Sequence, residues 1–65
     1  MNAPEYLSPK EASKLLGVSI HLLQKWRSLG VGIPYVKLGQ SKSSVIRYQK
    51  SDILEYLDNN KIKTL

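Results

Sequence analysis

His21, Gln24, Lys25 and Ser28 place an imidazole, an amide, an ammonium and a hydroxyl at the spacing of one helical face. With a helix advancing ~100° per residue, these four gather on one side while Leu22, Leu23, Trp26 and Leu29 gather on the other. Ile20 and Arg27 fall on the border. Such a stripe is either an ordinary solvated face or a reader of base edges. Gln24 has the donor–acceptor pair that bonds adenine bidentately, and Lys25 suits guanine or a phosphate. Ser19, just before the stripe, can cap the helix and also donate to a phosphate at its N-terminus. Arg27 can clamp a phosphate or pair with an acid of the last helix such as Glu55.

A second group, Lys37, Lys42, Ser43 and Arg47, lies in a stretch of strand formers around a polar loop. These side chains suit phosphate contacts, with Lys42 at the loop tip as a minor-groove probe. Protection of a sheet edge by charge accounts equally for Lys37 and Arg47, but hardly for a basic loop tip. Trp26, Tyr35 and Tyr48 read as packing residues rather than base-stacking platforms.

Catalysis has little to work with. His21 is the only histidine and there is no cysteine, which removes thiolate zinc sites, disulfides and most nucleophile or acid–base constellations. Asp52, Glu55 and Asp58 recur at i, i+3 and i+6 and read as a solvated helix face. No Gly-rich phosphate loop is present. The expectation is a protein that is not an enzyme and uses neither cofactor nor metal.

Charge points to a partner. The net charge is +5, yet no Asp or Glu occurs between Glu11 and Asp52. That interval holds Lys14, Lys25, Arg27, Lys37, Lys42, Arg47 and Lys50, seven of the ten basic residues, with no counter-charge within it. A segment of this kind attracts a polyanion, because Lys and Arg set against phosphates release condensed counterions. Nucleic acid is the leading candidate.

The elements that must position these groups are legible in turn. Ser8-Pro9-Lys10-Glu11 combines a cap, a proline suited to the first helical position and a glutamate placed to complete a capping box. Ala12, Leu15 and Leu16 supply an apolar face, and Gly17 ends the helix. Ser19 caps a second helix from Ile20 to about Leu29, ended by Gly30. IPYVKLG and VIRYQ read as a hairpin joined by a loop of about six residues, including QSKSS. Alternation puts Val36 and Leu38 on the same side as Ile46 and Tyr48, with Lys37 and Arg47 facing solvent. Ser51 caps a last helix, with Asp52 in its first turn, Ile53, Leu54 and Leu57 buried and Tyr56 flanking.

The 65 residues make one domain, with an ordered core of about 6–59 and a polar tail over 60–65. No apolar run approaches the ~20 residues of a membrane span, and the N-terminus lacks a signal-peptide core. The expected location is the cytoplasm, in association with the nucleoid.

A short helix, a Gly-Val-Ser turn, a second helix with a polar outer face and a basic hairpin amount to a winged helix-turn-helix, mostly α with a β-hairpin wing. LLGVS, LQKWRSLG, GIPYVKLG and RYQKSDILEYL, in that order, resemble the small AlpA/excisionase-like helix-turn-helix proteins, related in architecture to the DNA-binding head of MerR regulators. The resemblance runs from Tyr6 to about Asn59 and departs at QSKSS, which lengthens the wing. It implies a sequence-specific binder of double-stranded DNA, with the second helix in the major groove and the wing on the backbone or minor groove. The role implied is that of a transcriptional regulator or a recombination directionality factor. Homodimers or cooperative oligomers on repeated sites are then expected, with an integrase or other recombination protein as a further partner and no membrane. The competing expectation is a protein-interaction module, an antirepressor or assembly factor, using exposed Val31, Ile33, Ile62 and Leu65.

Overall fold

A computed structural model describes residues 4–39 and 45–62. Its order is β1 (Tyr6–Leu7), α1 (Pro9–Leu16), α2 (Ile20–Leu29), β2 (Val36–Leu38), β3 (Val45–Gln49) and α3 (Lys50–Asn59). The strands form an antiparallel sheet in the order β1-β3-β2. Three helices and a three-stranded sheet constitute the winged helix-turn-helix architecture.

Local chemistry sets the first two helices. The Ser8 hydroxyl accepts from the Glu11 amide at 3.1 Å, and the Glu11 carboxylate accepts from the Ser8 amide at 2.9 Å. Two otherwise unpartnered donors of α1 are thereby satisfied. Gly17 closes the helix at φ 75°, in the left-handed region that a Cβ disfavours. The following amide of Val18 then reaches back to the Ser13 carbonyl at 3.1 Å. Ser19 restarts the helix, its hydroxyl accepting from Leu22 N–H at 3.1 Å. The turn is tight because one residue breaks α1 and the second residue after it caps α2, with Val18 packed against the core between them.

One buried apolar residue from each major segment meets in the centre: Ala12 of α1, Leu23 of α2, Ile33 of the connection, Tyr48 of β3 and Ile53 of α3. Leu7, Leu16, Val18, Trp26, Ile46 and Tyr56 pack around them. Trp26 is a packing residue, its ring 5.8 Å from that of Tyr56. Gly32 lies against it at φ 88°, where a Cβ would come within 3.0 Å of Trp26 Cε3.

Several expectations are corrected. β1 has no signature in the sequence, since two residues cannot display an alternation; it pairs Tyr6 with Gln49 and Leu7 with Tyr48. That pairing also displaces Ser51 from its expected capping role. The chain passes straight from β3 into α3, Gln49 stands at the cap without a side-chain bond, and the Lys50 amide donates to the Glu5 carbonyl at 2.8 Å. A backbone carbonyl leading into β1 therefore satisfies the first amide of α3, while no side chain caps the next ones.

The hairpin register differs as well. Val36 pairs with Arg47, Lys37 with Ile46 and Leu38 with Val45. Directly paired residues share a face, so Lys37 lies on the side of Ile46 and Tyr48, while Val36 and Leu38 share the opposite side with Arg47. Alternation establishes the two faces of each strand but not how the strands are matched, and a one-residue offset exchanges every side chain. Burial of Tyr48 decides which face of β3 turns inward. Leu38, at 53% exposure, is left on the outer face.

The apolar faces of the helices are narrower than expected. On α3, Ile53 and Tyr56 meet the core while Leu54 and Leu57 stay exposed, and Leu29 at the end of α2 is exposed too. Ile33 is buried rather than available for contacts, whereas Val31 and Ile62 are exposed. Leu65 lies outside the described residues.

Candidate nucleic-acid interface

The polar stripe of α2 is present as a surface. His21, Gln24, Lys25 and Ser28 are all exposed, and Leu23 on the opposite side is buried to 1%. Ser19 is exposed at the head of this face with its oxygen already bonded to the Leu22 amide. Two apolar residues flank the stripe: exposed Ile20 on one side and, on the other, Leu29, which is exposed rather than gathered with the inward Leu23 and Trp26. Their signal was positional, since Ile20 opens the helix and Leu29 follows its last inward residue, Trp26.

Arg27 is set apart from the stripe. It is half-buried, and its Nη1 donates to the Tyr48 hydroxyl at 2.7 Å. The guanidinium carbon stands 6.0 Å from the ring centres of both Tyr35 and Tyr48. The alternative partner Glu55 is not in an ion pair with it; the described ion pairs are Lys50–Glu5 at 3.9 Å and Lys61–Asp58 at 3.5 Å.

The wing residues separate. Lys37 is exposed on edge strand β2. Arg47, on the central strand, is half-buried and donates to the Ile46 carbonyl at 2.7 Å. Register puts the two side chains on opposite faces of the hairpin, so Arg47 and Lys37 do not form the single basic face that alternation suggested. Lys42 and Ser43 lie outside the described residues.

The basic segment does meet counter-charge from its flanks. Lys50 pairs with Glu5. The Glu11 carboxyl is held below its ordinary range, first by the Ser8 amide and hydroxyl, with smaller contributions from the positive charges of Arg47 and Lys14. Among the described residues of the segment, Lys14, Lys25 and Lys37 are exposed and in no ion pair, on α1, α2 and β2.

Among the described residues, no group of three or more His, Asp or Glu is placed to hold a metal ion, and no helix is long and apolar enough to cross a membrane. Comparison with protein families finds one that fits this geometry: a family model described as a helix-turn-helix domain matches residues 6–61. No curated protein and no solved structure matches the chain.

Proposed function

The chain belongs to this helix-turn-helix domain family, and from that premise we propose that it binds double-stranded DNA sequence-specifically, with α2 in the major groove. The observation that carries the reading is the exposed, acid-free stripe of His21, Gln24, Lys25 and Ser28 on a helix started by Ser19 directly after a tight turn. Gln24 reads a base edge, Lys25 a base or phosphate, and Ile20 and Leu29 flank them with apolar contacts. Lys37 holds a phosphate from the wing, and Lys42 and Ser43 extend that contact from the loop. Arg47 adds attraction from the other face of the hairpin. A domain of this size buries ~600–1,000 Å² on DNA, which favours homodimers or cooperative binding at repeated sites.

Two roles fit this activity, transcriptional regulation and recombination directionality. An integrase or related recombinase as partner belongs to the second. Footprinting on the gene's own upstream region and on candidate recombination sites separates them. For the binding itself, the test is selection from random duplexes followed by titration across a salt series. Enrichment of one motif, with affinity falling steeply as salt rises, supports the reading. Failure to shift any duplex at low salt while a protein partner co-purifies would overturn it in favour of an interaction module.

A further inference from the structure

We propose that Arg27 is a positioning residue, fastening the recognition helix to the wing sheet rather than contacting DNA. This rests on the DNA-binding reading for its consequence, though not for its geometry. By backbone proximity α2 packs chiefly on α1, whereas β3 packs against α1 and α3 as well as its neighbouring strands. Some link must therefore set how α2 stands relative to the wing. Leu23 and Trp26 contribute apolar contact, which is tolerant of small slides because dispersion and burial have little directionality.

Arg27 supplies the directional link. Its planar guanidinium donates to the Tyr48 hydroxyl at 2.7 Å across 21 residues of sequence. Tyr48 is 1% exposed and pairs with Leu7 in the sheet, so its hydroxyl stands on a fixed support. The same guanidinium stands beside Tyr35, whose ring is 6.0 Å away and which immediately precedes β2. Tyr35 and Tyr48 are themselves in contact, with ring centres 6.2 Å apart and tilted by 50°. One cation on α2 is thus bonded to the central wing strand and set beside the residue that leads into the edge strand. A charged donor to a hydroxyl is among the stronger hydrogen bonds, and the two rings beside the guanidinium add cation–π attraction. A phosphate that drew Nη1 away would break the bond to Tyr48.

The chain has no cysteine, so paired spin labels can be introduced without background. Labels at Ser28→Cys and Lys37→Cys report the helix-to-wing distance in the absence of DNA. Tyr48→Phe removes only the hydroxyl and preserves core volume; Arg27→Lys keeps the charge but loses the fork. Both changes should broaden or shift the distance distribution while thermal unfolding stays cooperative. In the unlabelled protein each should weaken binding to the selected duplex by about 2- to 30-fold, the range of coupling carried through positioning contacts. Combining Arg27→Gln with Tyr48→Phe should weaken it no further than the worse single change, since both break one link.

An unchanged distance distribution in Arg27→Lys and Tyr48→Phe overturns the proposal. So does parental affinity in Tyr48→Phe beside an Arg27→Gln variant whose salt slope is shallower by about one, the signature of a lost phosphate contact. If the parent protein binds no duplex, the DNA reading falls and the label distances alone decide the proposal.

Discussion

Single side chains divide into those that hold the fold and those that face outward, and two predictions follow that division. Gln24 touches nothing it must support, so Gln24→Ala should leave stability unchanged and erase discrimination at one base position, by about 1–3 kcal/mol. Competition with single-base variants of the selected duplex measures it. Ser8 is the reverse. Ser8→Ala removes the hydroxyl bonded to Glu11 N–H and should cost about 0.5–2 kcal/mol in urea unfolding, with no effect on base preference. The Glu11 half of the same box gives a pH dependence. Its folded pKa is lowered, chiefly by the Ser8 amide. Its contribution is therefore fully present above the unfolded value of about 4.3 and disappears as pH falls through the lower folded value. The stability gap between the parent and Glu11→Gln should accordingly close in acid, in unfolding curves taken from neutral pH downward.

Elements differ in how much of them local sequence specifies. α1 and α2 are announced by caps three residues from their partners and by glycines that close them, so their bounds are legible before any tertiary contact is known. α3 begins differently: a backbone carbonyl at Glu5 satisfies the Lys50 amide, and no local pattern at Ser51 reveals it. The connection from α2 to β2 is a third case. Gly32 has positive φ, as Gly17 does, but only at Gly32 would a Cβ strike a neighbour, at 3.0 Å from Trp26 Cε3. Gly17→Ala should cost about 1–2 kcal/mol from backbone conformation alone, and Gly32→Ala more, because Trp26 must also shift. Chemical denaturation of the two variants side by side checks the order. In the wing, Lys37→Ala should shallow the salt dependence of DNA binding by about 0.9 without altering base preference. A change in the selected motif would instead make Lys37 a base contact.

At the scale of the fold, five central residues from five segments, among those described, make a core with little redundancy. A ligand that binds only the folded form should then be conspicuous in unfolding measurements. The selected duplex at 100 times its Kd should add about 2.7 kcal/mol of stability, and a scrambled duplex at the same concentration much less. Equal effects would mean attraction without specificity. The charge arrangement fits this picture: the acids flank the basic interval, with Glu5 held to Lys50, and leave Lys25 and Lys37 uncommitted.

Whatever depends on neighbours along the chain was legible in it: two capped helices, the glycine turn, the hairpin and the polar stripe on α2. Each follows from hydrogen bonds or dihedral preferences spanning a few residues. The match of the hairpin strands, the completion of the sheet by β1 and the turn of Arg27 toward Tyr48 come from packing across the fold. Those outcomes join residues far apart in sequence, and alternation or helical periodicity is silent on them. A period assigns a side chain to a face, but packing against the rest of the molecule chooses what that face meets.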